Sequence, residues 1–321
     1  MRRSLFARLG ALVTLSQLVL ACAPAAPTGG SVAPPEPEPT EIVMAFTPSS
    51  DPNALLTQAT PITDYLSRVS GLKIKPFITT DYTATIEAMT SKKVDVAWLA
   101  PTAYVLAHDQ NGAEIVFKAM RRDAATGQLR DSYYGTIVVA ANSGITRLAD
   151  LKGKRIAFVD PASTSGYLYP AALLLQYGID PKKDVIATFA GAHDAAALAV
   201  YQGNADAAAT FEGAAEQLLK ARFPDVTEKL KEIARTDPIP NDGIAFRKDL
   251  PASTKEKLKQ AILRLQSDPE AVMRDPRTGN QVRMLAVYRW DGIAEARDSD
   301  FDPIRVVAKG LGIPLKELVS R

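Results

Sequence analysis

From Glu41 onward, short apolar runs alternate with longer stretches of helical pattern, and this alternation most limits what the chain can fold into. Residues 42–46, 73–78, 94–98 and 114–119 read as strands, with helices predicted over 61–70, 83–92 and 102–110. The first helix has Pro61 near its opening turn and is stopped by Gly71. A long β-rich run over 134–141 leads to a short helix that stops at Gly153. A second alternation then covers 154–233, with strands at 155–159, 185–189 and 206–211 and helices at 194–202 and 214–222. The stretch Asp237-Pro238-Ile239-Pro240-Asn241-Asp242-Gly243 breaks that pattern before a strand resumes at 244–247; long helices are expected over 254–265 and after Asp302. Such alternation builds an α/β fold. It fits one doubly wound domain, or two α/β lobes with the second inserted into the first. Two lobes are preferred, since a cleft between lobes is a usual ligand site. Lobe 1 would hold 41–135 and 243–321, and lobe 2 would hold 136–242, with crossing segments near 134–141 and 234–244.

The N-terminal stretch says where such a body would work. Arg2, Arg3 and Arg8 precede an apolar run over 9–21 that is short for a bilayer span. It ends in Leu18-Val19-Leu20-Ala21-Cys22, which resembles a bacterial lipobox, although Val19 stands where Leu is commonest. Cys22 is the only cysteine among 321 residues, so no intramolecular disulfide is expected. Residues 1–22 therefore read as a lipoprotein signal peptide with Cys22 as the acylated residue. Residues 23–40, rich in Pro, Ala, Gly and Ser, read as a solvated tether that holds the body near a membrane. The formal charge is only +2, and no basic run with interleaved aromatics occurs, which argues against a nucleic-acid partner.

One turn stands out within the body. Asp160-Pro161-Ala162-Ser163-Thr164-Ser165-Gly166 follows the strand at 155–159 and opens a helix that continues through Leu173, Leu174 and Leu175. Hydroxyl side chains, unpaired backbone N–H groups and the positive end of a helix dipole together suit an oxyanion, with no lysine or arginine required. A single Ser or Thr there would be an ordinary helix cap. Three hydroxyls in a row followed by Gly exceed what a cap needs.

Several segments in order then resemble one family, the solute-binding proteins of ABC importers for phosphonate, phosphite and phosphate. They are Phe46-Thr-Pro-Ser-Ser-Asp51, Thr80-Asp81-Tyr82, and the run from Val94 through Trp98 to Tyr104. The turn from Asp160 to Tyr167, Gly191-Ala192-His193, Pro238 to Asp242, and Asp298-Ser-Asp-Phe-Asp-Pro-Ile304 follow. The resemblance covers the chain from about Glu41 to its end and implies a two-lobed type II periplasmic binding protein. It further implies that Ser163, Thr164 and Ser165 cradle the oxyanion, that Tyr82 adds a phenol, and that His193 closes from the second lobe. Relatives carry a further contributor directly after the Trp, where Leu99 stands, or a few residues later, where Tyr104 stands; Tyr104 is the candidate here. Relatives that bind aminoalkylphosphonates hold the ammonium with acidic residues at about the positions of Glu212 and Asp242. The implied partners are a phosphorus oxyanion and an ABC permease, with a monomer expected and no cofactor.

Neutral hydroxyl donors suit a captured anion, since they replace its water without adding full charges that would hinder release. Enzyme readings find less support. The serine-hydrolase elbow needs Gly two residues to either side of the nucleophile, where Ser165 has Ser163 and Tyr167. No Walker lysine sits in a Gly-rich loop, and with only His108 and His193 a zinc site is not expected. Two alternatives remain open from sequence: an enzyme of pyrimidine or thiamine-precursor synthesis on the same fold, and a lipid-anchored sensor.

Overall fold

The computed structural model describes residues 38–318 apart from 124, 125, 277 and 313; the signal peptide, Cys22 and the tether as far as residue 37 lie outside the described residues. Its strands, in chain order, are β1 (Ile42–Phe46), β2 (Ile74–Ile78), β3 (Val96–Leu99), β4 (Glu114–Arg122), β5 (Leu129–Arg130), β6 (Ser132–Ala140) and β7 (Arg155–Phe158). They continue with β8 (Ile186–Phe189), β9 (Ala207–Phe211), β10 (Leu230–Pro240), β11 (Gly243–Phe246), β12 (Val272–Arg274), β13 (Gln281–Arg283) and β14 (Gly292–Glu295). The helices are α1 (Pro52–Ser70), α2 (Tyr82–Thr90), α3 (Pro101–Asn111), α4 (Tyr169–Gln176) and α5 (His193–Tyr201). After these come α6 (Ala214–Leu219), α7 (Val226–Lys229), α8 (Ala252–Ser267) and α9 (Asp302–Gly310).

Each of the two lobes is built on one sheet. The first runs β14-β4-β11-β3-β1-β2, with β5 paired to β4, and the second runs β10-β6-β9-β7-β8. In each, the strands joined by crossover helices pair in parallel, β1 with β2 and β3, and β7 with β8 and β9. In each, too, a returning strand pairs antiparallel, β11 against β3 and β4, and β6 against β9 and β10. Residues 132–135 already pair within the second sheet, where Gly135 faces Phe211. Between the two crossings, Asn241 is fully buried and donates through Nδ2 to Ala119 O at 2.9 Å and Arg130 O at 3.1 Å.

Two apolar clusters hold the body. One lies under α1 and α8, with Phe46, Trp98, Phe246 and Leu258 closely packed. The other runs from Ile86 and Val105, beside α2 and α3, through Phe301 and Ile304 to Phe158 and Leu174 of the second lobe. The chain's C-terminal helix is thus part of the seam between lobes.

Three elements differ from the sequence expectation, each for a local reason, and one stretch gains elements that the sequence did not suggest. Helix α1 starts at Pro52 rather than 61, because Asp51 caps it by accepting from Ala54 N at 2.8 Å and Pro52 fits its first turn. Pro61 then lies inside the helix, where it gives up one backbone bond. Strand β10 runs on through Pro238 and Pro240 because it is an edge strand with register shifts, where a missing N–H is tolerated. The stretch between α8 and α9, where the sequence suggested no element, holds the β12–β13 pair and β14. Finally, the end of the expected tether is docked: Glu38 bonds the hydroxyls of Ser253 and Thr254 in the first turn of α8, where an anion is favoured.

Candidate functional site

The Ser-Thr-Ser turn folds as a π-helical turn over Thr164–Leu168, which leads directly into α4. Ser163 caps it, its Oγ accepting from Gly166 N at 3.1 Å. The Thr164 and Ser165 amides begin the turn and have no acceptor within it. Gly166 is required by space, since a Cβ there would lie 2.4 Å from the Val159 side chain and 2.7 Å from Ser163 Oγ. The turn is thereby pressed against the end of β7, and a π turn in such a place is a common mark of a functional site.

A cleft of about 730 Å³ opens on this turn. Ser163 and Ser165 line it from one lobe together with His193, while Tyr82 lines it from the other. Tyr82 opens α2 just after Asp81, which caps that helix by accepting from Ala84 N at 2.7 Å. Burial and the Asp160 carboxylate push the Tyr82 phenol well above its ordinary value, with the Ser163 hydroxyl acting against them. It is therefore a neutral donor. Ser165 Oγ accepts from the Tyr133 hydroxyl at 3.4 Å, and Tyr133 also lines the cleft.

His193 sits at the start of α5, its Nδ1 2.9 Å from Thr210 Oγ1 and its ring edge-on to Phe211. Burial pushes its imidazole down to about 3, and the Arg121 guanidinium adds to the effect. At neutral pH the ring is uncharged, so any contribution to an anion comes from an N–H dipole rather than from an imidazolium.

Two predicted residues lie elsewhere. Thr164 does not line the cleft: its Oγ1 accepts from Thr102 N and meets Thr102 Oγ1, both at 2.9 Å, at the start of α3. Its hydroxyl ties the lobes together. Tyr104 lies a turn into α3 and points into the seam, where its OH donates to Asp298 Oδ1 at 2.9 Å and its ring packs on Phe301. Leu99, at the alternative position, does line the cleft but brings no donor.

The two acidic candidates separate. Asp242 lines the cleft but accepts from Arg121 Nη2 at 2.8 Å; burial pushes its carboxyl above the usual range although Arg121 pulls against it. Glu212 lies outside the cleft, in a smaller pocket between Arg130, which it bonds, and Arg235, whose Nη1 is 3.6 Å away. No acidic pair faces the cleft from these two positions.

The site also holds residues that sequence reasoning passed over. Arg121, at the end of β4, is fixed by Asp242 on one side and lies over the Tyr133 ring at 4.7 Å on the other. Arg289 lines the cleft from a left-handed backbone conformation (φ 59°), and its guanidinium reaches the Phe211 ring of the second lobe at 5.3 Å. The turn itself carries no arginine, but the cleft around it is lined by Arg121, Arg222 and Arg289. Trp98 stacks on Trp290 at 4.5 Å and meets Tyr288 at 5.0 Å, forming an aromatic wall of the same cleft. The only sequence signal was Tyr288-Arg289-Trp290, a cation between two aromatics in a stretch of otherwise ordinary composition.

Two hydrogen bonds join the lobes among residues that line the cleft. His193 N donates to Ser49 O at 3.0 Å, and Asp51 N donates to Asp194 Oδ2 at 3.1 Å. Both bonds run between the start of α5 and the loop before α1.

Two α/β lobes around a donor-lined cleft form the architecture of a periplasmic solute-binding protein. Residues 44–301 match the family model described as ABC transporter, phosphonate, periplasmic substrate-binding protein, and the chain belongs to that family. It is similar to the phosphate-import protein PhnD of Mycolicibacterium smegmatis, 29% identical over 282 residues that cover 85% of this chain and 87% of that one. It is also similar to the phosphonates-binding periplasmic protein of Escherichia coli, 28% identical over 79% of this chain and 72% of that one. Among solved structures, a binding protein component of an ABC phosphonate transporter from Pseudomonas aeruginosa superposes with a TM-score of 0.73 at 26% identity, covering 83% of this chain and 85% of that one. The fold of PhnD1 from Prochlorococcus marinus, solved with methylphosphonate, matches with a TM-score of 0.72 at 22% identity, over 85% of this chain and 98% of that one. The protein is thus a ligand-binding component of an ABC transporter rather than an enzyme, and its place is outside the cytoplasm.

Proposed function

We propose that the cleft captures a phosphorus oxyanion, with a phosphonate as the first choice, by closure of the two lobes, and that the closed protein delivers it to the permease. The observation that carries this reading is the convergence of Ser163, Ser165, Tyr82 and neutral His193 on one cleft at the start of a helix. These groups supply donors, and the helix start supplies favourable dipole, so an anion loses its water without losing its hydrogen bonds. Arg121 contributes positive potential, but Asp242 compensates it, so capture remains reversible. The names of relatives that import phosphate or bind phosphonates support the same ligand class.

An aminoalkylphosphonate falls behind in this reading. The two acidic residues expected to hold its ammonium are not placed to do so, since Glu212 lies outside the cleft and Asp242 is paired with Arg121; Asp51 and Asp194 are the other carboxylates of the lining. The test is titration calorimetry with methylphosphonate, phosphite, phosphate and 2-aminoethylphosphonate. Methylphosphonate should bind at least as tightly as the amine-bearing ligand. Absence of binding by all four would sink the reading.

Anchoring through Cys22 and the 23–40 tether belongs to the same proposal. Cys22→Ser should abolish lipid attachment and leave ligand affinity unchanged; a processed Cys22→Ser protein that stays in the membrane fraction would refute it. The lobe boundaries proposed are 41–135 with 243–321 and 136–242, moved to 131/132 at the first crossing because β6 belongs to the second sheet.

A further inference from the structure

The cleft is much larger than the oxyanion that the donors at one end could hold. Methylphosphonate has five heavy atoms and fills on the order of 100 Å³, whereas the cleft measures about 730 Å³, within the range of drug-sized ligand pockets. Besides the donors, the lining holds several leucines, together with the polar side chains of Asp51, Gln58 and Asp194. Leu55 of α1 faces it from the first lobe, and Leu198 of α5 with Leu218 and Leu219 of α6 face it from the second. Phe211 also lines the cleft, its ring 4.8 Å from that of His193, and Arg222 joins the lining. Closing two lobes over leucines leaves apolar surface against trapped water unless something apolar fills the space, and filling it is favourable.

Resting on the phosphorus-oxyanion reading above, we propose that the part of the cleft lined by Leu55, Leu198, Leu218 and Leu219 is a subsite for the organic substituent of the ligand, and that the preferred substrate class is phosphonates with an extended alkyl or aryl group. Phosphite, phosphate and methylphosphonate would occupy the donor end alone. The substituent joins the two lobes through apolar contacts, so its length sets how firmly the closed state is held.

The test is a calorimetric series of methyl-, butyl-, hexyl- and phenylphosphonate on the wild-type protein and on Leu198→Gln, a half-buried position where the fold should survive. Affinity should rise about 3–4-fold per added methylene until the subsite is filled, and phenylphosphonate should bind at least tenfold more tightly than methylphosphonate. Leu198→Gln should flatten that ladder, read as the ratio of hexyl to methyl affinity. A flat or falling ladder in the wild type, with methylphosphonate still bound, would overturn the substituent subsite alone. A steep ladder that Leu198→Gln leaves unchanged would overturn the assignment of these residues. Failure of every member of the series to bind would remove the oxyanion reading and this proposal with it.

Discussion

The Ser163 turn and the Arg121–Asp242 corner face the same cleft but are made in opposite ways. The turn is local: seven consecutive residues supply the cap, the free amides and the hydroxyls, and Gly166 lets them press against β7. The corner is assembled from remote segments, since β4 brings Arg121, the second crossing brings Asp242 and the loop before β14 brings Arg289. The turn offers neutral donors, the corner two guanidinium groups beside one carboxylate. A site of this kind divides its work. The local motif recognises the oxygens, and the distributed corner sets the potential in which they sit.

The largest expected effect breaks the corner. Arg121→Ala leaves the Asp242 carboxylate partly buried without its partner and adds negative potential beside the turn. It should cost about 2–4 kcal/mol of folding stability and weaken methylphosphonate at least a hundredfold, read by thermal melts and calorimetry. Arg121→Ala together with Asp242→Asn should recover much of the stability, because the unpaired charge is gone. If Arg121→Ala alone leaves both quantities untouched, the corner is only a surface ion pair.

Removing donors from the turn comes next. Ser163→Ala should lower affinity by about 1–3 kcal/mol, up to a hundredfold, because it deletes a hydroxyl in the cleft. The lost cap on Gly166 N should cost about 1 kcal/mol of stability as well. Ser165→Ala should show the affinity loss with a smaller change in stability, since it caps nothing. Equal affinities in both variants and the wild type would mean that the turn is only a helix start.

His193 sharpens the comparison through pH. Its folded value of about 3 lies below the ordinary 6.5, so between these limits the unfolded chain holds a proton that the folded chain does not. Stability from this group is therefore complete above pH 6.5 and is lost as pH falls toward 3, at up to about 1.4 kcal/mol per pH unit. Asp242 works in the opposite sense, since its raised value means that its contribution is lost as pH rises above the ordinary carboxylate range. The His193→Gln variant should thus show a shallower loss of melting temperature between pH 6.5 and 4 than the wild type. Identical slopes would mean that the ring is charged in the folded protein.

The smallest effects are expected at the two residues that the structure moves away from the ligand. Thr164→Ala should cost about 1 kcal/mol of stability through its bonds to Thr102, with less than a fivefold change in affinity. Tyr104→Phe should weaken the seam at Asp298 and leave affinity within twofold. A tenfold loss of binding in Tyr104→Phe would return that phenol to the site.

What could be read from sequence follows the same division between local and distributed. The alternation of strands and helices, the helix opened by the Ser163 turn and the positions of Tyr82 and His193 depend on a few neighbouring residues, and each shows in the chain. The continuation of β10 through Pro238 and Pro240 does not show, because it depends on the strand being at a sheet edge. Thr164 and Tyr104 misled for a similar reason. Their residue types suit an anion, but a turn of π-helix and the rotation of α3 aim their hydroxyls at Thr102 and Asp298 instead. Arg289 was hidden most deeply, in a left-handed turn whose place is fixed only once β14 pairs with β4.

A crystal structure of the protein with methylphosphonate would test the central claim most directly. The account predicts the phosphonate oxygens within hydrogen-bonding distance of the Ser163 and Ser165 hydroxyls, the Tyr82 phenol and the Ser165 amide, with its methyl group directed toward the leucines of the cleft. Phosphonate bound in the pocket between Arg130 and Arg235, with the Ser163 turn unoccupied, would contradict it.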